Sequence, residues 1–507
     1  MAETARDRNS AAGTATPGWL QGAWALLIAG SALYFLSGNE ADNDLWLNVL
    51  VGERILDSGI QRVDDLSYTA RGGSWIDHEP LSHVLFAALY EYGGDTALWL
   101  MKLAIALVTA TFLWRTMTRR TSSVWVRGGV MVLSLAVLAR GYAIRPQTLT
   151  YLAIAWLFWW LDDREPGEPD AKPDAWTDLA LLALVIVLWV NAHAGFLFGV
   201  GVLVVRAATP PWRYSASKLR SALVACVAVW VNPYGWALFV YVLDELTVFH
   251  PLSEWQPVSL TDSSHAPFLL FLALLIATLP FSRTFRRRPW WGIVVAGVAF
   301  MALQHQRHTP LLALTATAPL ADQLSGGLAW LRHRLSFELS TGAVRALAIG
   351  LVVLAATQAF LVFERLRRDG PHIVYEAVDY PVGAVRFLRR EGIKGNVALP
   401  LEWGGYVLWH TPNVAVSIDG RFLTVYPAET VETNFSFFRG DGDPKAAHLL
   451  DDYPTDLVLV PRWTNTPAHH RPEWHVIYRD AVAELLIRGE GRPLTEAKAP
   501  SGWLRFP

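Results

Sequence analysis

Two carboxylates, Asp42 and Asp44, stand two residues apart directly after the first apolar run of the chain. Acids at the edge of a hydrocarbon-length segment are costly unless they are solvated or employed. On irregular backbone both could face one cation, or one could take a proton from an incoming hydroxyl. Further on, Asp77-His78-Glu79 offers a second carboxylate beside an imidazole. His78 and Glu79 could hydrogen-bond a substrate, join Asp42 and Asp44 as ligands of a divalent cation such as Mg or Mn, or cap the next helix. Arg140, Arg145 and Arg307 lie where apolar runs meet polar turns, where a cation either meets an anionic group or snorkels to the interface. Within Gln304-His305-Gln306-Arg307-His308 the arginine is the stronger cation, because neutral imidazole brings little charge at pH 7. His193, in Asn191-Ala192-His193-Ala194-Gly195, either packs at the rim of a bundle or orients a substrate across a cavity. Asp419 and Arg421, flanking Gly420, either present a charged pair to an acceptor or brace a turn.

These groups must be positioned by a membrane scaffold. Of 507 residues, 52% are hydrophobic, 12% aromatic and only 17% charged, against roughly 25% charged in soluble proteins. The 43 Lys and Arg against 45 Asp and Glu leave a net charge of −2, so no nucleic-acid partner is implied. The single Cys226 sits in an apolar run and reads as a packed small hydrophobe. There is no P-loop, dinucleotide fingerprint or Cys/His zinc spacing, so nucleotide sugars and ATP are not implied. Trp19 to Leu36 reads as a signal anchor. Further apolar runs near 95–114, 124–140, 146–161, 178–190, 194–207, 219–232, 267–281, 289–303, 309–324 and 341–363 bring the expected spans to about eleven.

Alternating these runs from a cytoplasmic N-terminus collects Arg115, Arg119, Arg120, Arg206, Arg213, Lys218, Arg220, Arg283, Arg286, Arg287, Arg288, Arg332 and Arg334 on the inside. The same alternation puts the loop from Ser37 to His78, the turns at 140–147, 191–193, 232–254 and 304–308, and the tail after 370 on the outside. Asp162 to Asp174 falls inside and reads as a solvated linker. The expected organisation is a cytoplasmic tail at 1–18, a transmembrane helical domain at 19–369 with its first exoplasmic loop at 37–80, and an exoplasmic α/β domain at 370–507. In that last part Pro381–Arg390 reads as a helix, Gly395–Pro400, Val414–Ile418 and Asp456–Pro461 as strands, and Trp474–Ile487 as a hairpin.

The first loop resembles that of GT-C glycosyltransferases that use lipid-linked sugars, in the bacterial group related to the protein O-mannosyltransferases and aminoarabinose transferases. The residues that carry the likeness are Asp42/Asp44, Trp46, Ile55-Leu56-Asp57-Ser58-Gly59, Asp65-Leu66-Ser67-Tyr68-Thr69 and Trp75-Ile76-Asp77-His78-Glu79, with Arg145-Pro146-Gln147 and the tail around Trp403-Gly404-Gly405-Tyr406. The resemblance implies a mostly α, polytopic bundle with a small exoplasmic α/β domain in a cell (inner) membrane. It also implies inverting transfer of a sugar from a polyprenyl-phosphate donor to a glycan, lipid or protein acceptor. Asp44 is then the first choice as base and Asp42 the second, with no certain cofactor and a divalent metal left open. A flippase for lipid-linked glycans or a non-catalytic envelope scaffold would fit the same membrane architecture. The charge-free stretches Leu179–Leu188 and Ile349–Phe363 count against a charged path through the bundle.

Overall fold

The computed structural model describes residues 17–165, 175–210, 212, 215–245, 253–335, 340–440 and 442–507. Arg6, Arg8 and Arg213 lie outside them, as does the linker from 166 onward. Every expected apolar run is helical: α1 (Gly18–Leu36), α3 (Pro80–Thr118), α4 (Val124–Leu138), α5 (Gln147–Asp163), α6 (Trp176–Ala192), α7 (Phe196–Ala207), α8 (Ser215–Ala228), α10 (Ala266–Ala277), α11 (Pro289–Gln304), α12 (Thr309–Leu335) and α13 (Thr341–Asp369). The resemblance implies a helix at Trp46, and α2 (Leu45–Ser58) is that helix within the first loop, whereas α9 (Trp236–Glu245), within the segment read as a polar turn, was not expected. By length and composition four helices among the described residues can cross a membrane: α1, α3, α4 extended to Gly141, and α13. This is a membrane protein.

The bundle is centred on α5 and α12. Tyr151, Ile154, Leu157, Phe158 and Trp160 of α5 are almost fully buried, as are Leu312, Ala313, Ala316, Leu320 and Ala321 of α12. In contrast, α13 buries only 22% of its most apolar window and packs on α1, so its apolar surface is left for lipid. Gly94 breaks the long α3 with φ of +62°, a conformation that costs glycine little, and so turns the first-loop part of that helix away from its membrane part. At the end of α5 away from the first loop, the expected solvated linker starts as something else. Asp162 is buried there and ion-paired with Arg120 and Arg288, and Arg164 pairs with Asp178 at 2.5 Å. A carboxylate at this depth persists because several cations pair with it.

After α13 the chain builds a mixed sheet. Strands β2 (Gly395–Ala398), β3 (Val414–Val416), β4 (Leu457–Pro461), β5 (Trp474–Arg479), β6 (Ala483–Arg488) and β7 (Thr495–Glu496) lie in the order β3-β2-β4-β6-β5-β7. The β3-β2-β4 half is parallel, and β4-β6-β5 is antiparallel. The continuous Leu-Val-Leu-Val of β4 is what a central strand covered on both faces requires. Helices α14 (Val382–Arg390), α15 (Leu401–His410) and α16 (Ala428–Arg439) complete this part, and β1 (Val374–Glu376) pairs with β8 (Trp503–Arg505).

The first loop is bonded to this region at two places, to β1 of the separate β1–β8 pair and to the six-stranded sheet. Near its start, Ala41 N–H donates to Val374 O (2.8 Å) and Val374 N–H to Asn39 O (2.9 Å). Further along, Tyr68 N–H donates to Val416 O (3.1 Å) and Thr69 Oγ1 to Ser417 O (2.6 Å), so the loop extends the sheet beyond β3. Between them Trp46 of α2 is completely buried among Tyr375, Tyr380, Tyr406, Trp409 and Phe506. The joint is locked by charge. Arg421 makes a bidentate pair with Asp419 (2.9 and 2.7 Å), reaches Asp64 of the first loop at 2.6 Å, and lies over the Trp75 ring at 4.8 Å. Tyr426 donates to Asp419 at 2.7 Å. Removing one member of a buried, hydrogen-bonded pair strands the other's charge and costs about 3–5 kcal/mol. Arg421→Ala is therefore expected to lower unfolding free energy by about that amount and to expose Trp75, as read by denaturant titration of the detergent-solubilised protein. Unchanged stability would remove Arg421 from the joint.

Candidate active site

The Asp42-Asn43-Asp44 turn leads into α2 and is fixed from both sides. Asp42 Oδ1 accepts the Asp44 backbone N–H (3.1 Å), and Asn43 Oδ1 accepts the Tyr380 hydroxyl (2.8 Å). Asp44 is the N-cap residue of α2 but makes no capping bond. The reason is a competing partner: Arg145, from the loop between α4 and α5, reaches Asp42 with Nε (2.6 Å) and Asp44 with Nη2 (3.5 Å). Its third nitrogen, Nη1, donates to Glu254 at 3.1 Å. Pro146 follows Arg145 and opens α5, and Thr148 Oγ1 donates back to the Arg145 carbonyl (2.9 Å), so the backbone beneath the guanidinium is anchored.

Glu254 also accepts Arg307 Nη1 at 3.0 Å, and the Arg307 guanidinium lies 4.4 Å over the Trp255 ring. The short turn carrying Glu254 is stapled to the loop carrying Arg307, with His305 Nδ1 2.6 Å from Trp255 O and Gln306 Nε2 donating to Ser253 O at 2.5 Å. Three carboxylates thus surround two guanidiniums. Burial pushes the Asp44 carboxyl up; Arg145 pulls it down, and Asp42, Glu254 and Glu79 push it up again, leaving it at about 7. Its side chain keeps 42% of its surface open to the cleft, so it is walled in by protein and still reachable. Glu254 goes the other way, because Arg307 and Arg145 outweigh its burial and hold it below the usual range.

His78 and Glu79 stand at the far wall. Burial alone would raise Glu79, but His78 (3.5 Å) and His83 (3.6 Å) bring it down to about 2. Burial lowers His193 to about 4. Its Nδ1 accepts the Gly195 N–H (2.9 Å) and lies 2.9 Å from Thr150 Oγ1, which puts the proton of the neutral ring on Nε2.

The structure brings Asp42, Asp44, Arg145, Arg307, Glu79, His78 and His193 into one neighbourhood and leaves the other three out. Arg140 is exposed and donates to Ser264 (2.5 Å) and Gln306 (2.9 Å) on the rim. Asp419 and Arg421 are buried in the joint described above, so of their two readings the geometry supports the brace. Gly420 between them does touch the site: a Cβ there would lie 2.6 Å from Asp44 Oδ1, so a larger residue would push the Asp44 carboxylate aside. Glu254 and Trp255 escaped the sequence reading. The only signal was an acid next to an aromatic in a turn, and their importance lies in contacts to residues distant in the chain.

Among the described residues no group of three or more His, Cys, Asp or Glu side chains converges on a position for a metal ion. The Arg145 guanidinium stands at the Asp42–Asp44 pair, and Glu79 is turned toward two imidazoles. Asp42, Asp44, His78 and Glu79 therefore do not fit a divalent cation in this arrangement.

A polytopic bundle whose first loop is clasped by an α/β cap, with acids and arginines facing a cleft at the joint, has the architecture of the GT-C class of membrane glycosyltransferases. Solved structures with a similar fold include the oligosaccharyltransferase of Archaeoglobus fulgidus in the apo form (12% identity, TM-score 0.52). The same protein tethered to an acceptor peptide containing the NVT sequon matches at 11% identity and TM-score 0.54. Each match covers 87% of this chain and 69% of the other. ArnT from Cupriavidus metallidurans in the apo state aligns over 91% of this chain and 97% of its own, at 15% identity and TM-score 0.49. No family model and no curated protein matches the sequence. The likeness establishes the fold.

The raised Asp44 carboxyl has a consequence for stability. A carboxyl whose native pKa lies near 7, above its ordinary 3.8, binds its proton more tightly in the folded state, so stability falls as pH rises from about 4 to 7. Asp44→Asn removes that loss. It should melt no lower than wild type at pH 8, with the difference fading toward pH 4, as followed by scanning fluorimetry across pH. A variant that melts well below wild type at pH 8 would show the charge of Asp44 to be stabilising.

Proposed function

We propose that this protein is an inverting glycosyltransferase that moves a sugar from a polyprenyl-phosphate carrier to an acceptor hydroxyl or amide on the exoplasmic side of a cell membrane. The observation that carries this reading is the placement of an open, proton-accepting Asp44 against two paired guanidiniums at the membrane end of the cap. In the reaction Asp44 takes the acceptor proton while the acceptor atom attacks the anomeric carbon. The bond from that carbon to the phosphate oxygen breaks on the opposite face, and the configuration inverts. The departing polyprenyl phosphate keeps the bonding electrons and gains negative charge. Arg145 and Arg307 face that charge, and Arg307, which commits one nitrogen to Glu254, has further donors for phosphate oxygens. Glu254 keeps the two cations together against their mutual repulsion. The fold shared with an oligosaccharyltransferase crystallised with an acceptor peptide supports the class of reaction. Because Arg145 already stands at the acid pair, transfer proceeds without a protein-held divalent cation.

The test is to incubate the purified protein in lipid with radiolabelled polyprenyl-phosphate sugars, with and without chelator, and to follow free carrier phosphate. Release is expected, and it should fall by roughly 10²–10⁴ in Asp44→Asn, the range for loss of a general base. Release that persists in that variant would overturn the assignment of the base. No release from any donor, with translocation of lipid-linked sugar instead, would favour a flippase.

In the same assay the acid limb of the pH–rate profile should bend near pH 7, since only ionised Asp44 accepts the proton. Chelator should leave the rate unchanged. A rate that collapses with chelator and returns with Mg or Mn would restore the metal to the mechanism.

A further inference from the structure

Beside the site lies a cavity of about 510 Å³, within the range of about 300–1,000 Å³ that small-molecule sites occupy. Three parts of the chain build it: Ser74 and Ile76 of the first loop, one face of α9, and the segment Leu423–Pro427 that follows Gly420. It adjoins the site at two points. Tyr241 of the cavity wall stacks toward His78 with ring centroids 5.6 Å apart, and the turn before the Leu423–Pro427 segment closes over Asp44 through Gly420. The cavity is therefore a neighbour of the proposed base, where an acceptor that gives up its proton to Asp44 would sit.

The lining decides what it takes. None of the residues around the cavity carries a charge, so an acceptor held there by a phosphate or carboxylate would find no counter-ion. Trp236 and Tyr241 present flat aromatic surfaces, and the exposed Ser74 adds a hydroxyl at the edge. Trp236 is 64% exposed and is held flat by stacking on Trp230, with centroids 5.8 Å apart and planes within 10°. A pyranose or furanose ring has the matching surface, with C–H faces for aromatic rings and hydroxyl edges for hydroxyl partners.

We infer that this cavity is the acceptor subsite and that the acceptor is a neutral saccharide. The inference rests on the transferase reading above and adds the class of acceptor. It is tested by saturation-transfer NMR on the full chain in detergent, with methyl glycosides of mannose, glucose, galactose and arabinose, mannotriose, glucuronate, and a neutral Ser/Thr peptide as probes. Saturable transfer to the C–H protons of at least one neutral saccharide is expected. It should fall at least five-fold in Val240→Trp, which fills the cavity from α9, and persist in Val240→Ala, which reports that position without filling it. Transfer confined to glucuronate or the peptide, no transfer to any neutral saccharide, or a saccharide signal indifferent to Val240→Trp would each overturn the inference. The measurement needs no donor. Loss of the transferase reading would appear separately, as absent carrier release in an assay where saccharide binding is intact.

Discussion

Everything at the site follows from an unequal count of charges: three carboxylates, Asp42, Asp44 and Glu254, around two guanidiniums, Arg145 and Arg307. Partly walled by protein, such a cluster cannot keep every acid ionised at no cost. The surplus falls on the acid with the longest contact, Asp44, 3.5 Å from its cation where Asp42 is at 2.6 Å. Glu254, shared by both arginines, stays ionised and serves as mortar. The same cluster thus contains a fixed anion, a fixed pair of cations and one proton acceptor poised near neutrality, the division of labour that acid–base chemistry in a closed cleft requires.

That balance holds only if the acids stay still, and their immobility is supplied from outside the membrane bundle. Trp46 sits immediately behind Asp44 in α2 and is sunk among five aromatic rings of the cap region. Tyr380 holds Asn43, and the loop continues the sheet past β3. On the bundle side, Arg145 is anchored by the first turn of α5 and Arg307 by the turn that carries Glu254. The cleft is therefore assembled from two bodies, each bringing groups of opposite charge.

Much of this was legible in the residue order, and the gaps have physical causes. Apolar runs mark helices well because lipid and a helical core impose the same requirement, and the strands from 395, 414 and 457 announced themselves by β-branched runs. The acid pair and the Arg145-Pro146 turn were visible as charges placed where charge is expensive. What the order of residues could not show was who pairs with whom. Asp419 and Arg421 looked equally suited to bind or to brace, and only their burial with Asp64, Trp75 and Tyr426 separates the two. Glu254 looked like the end of a loop until two arginines were found on it. The α9 helix was hidden because its apolar run, Trp236 to Leu243, is too short for a span and follows directly on the Asn232-Pro233-Tyr234-Gly235 turn. Asp162 was read as solvated because its partners, Arg120 and Arg288, come from other helices.

The pairing of the first loop with the sheet also bears on how the molecule comes to be active. Tyr68 and Thr455, bonded across the joint at 3.0 Å, are 387 residues apart in the chain. Contacts of such long range form late, and chains emerge from the ribosome N-terminus first. The acids are thus made and threaded into the membrane long before the glycine turn that closes over Asp44 exists. A chain interrupted anywhere before the sheet would carry the reactive groups without the walls that set their charge. That ordering acts as a safeguard: the cluster takes its charge state only once the walls around it are in place.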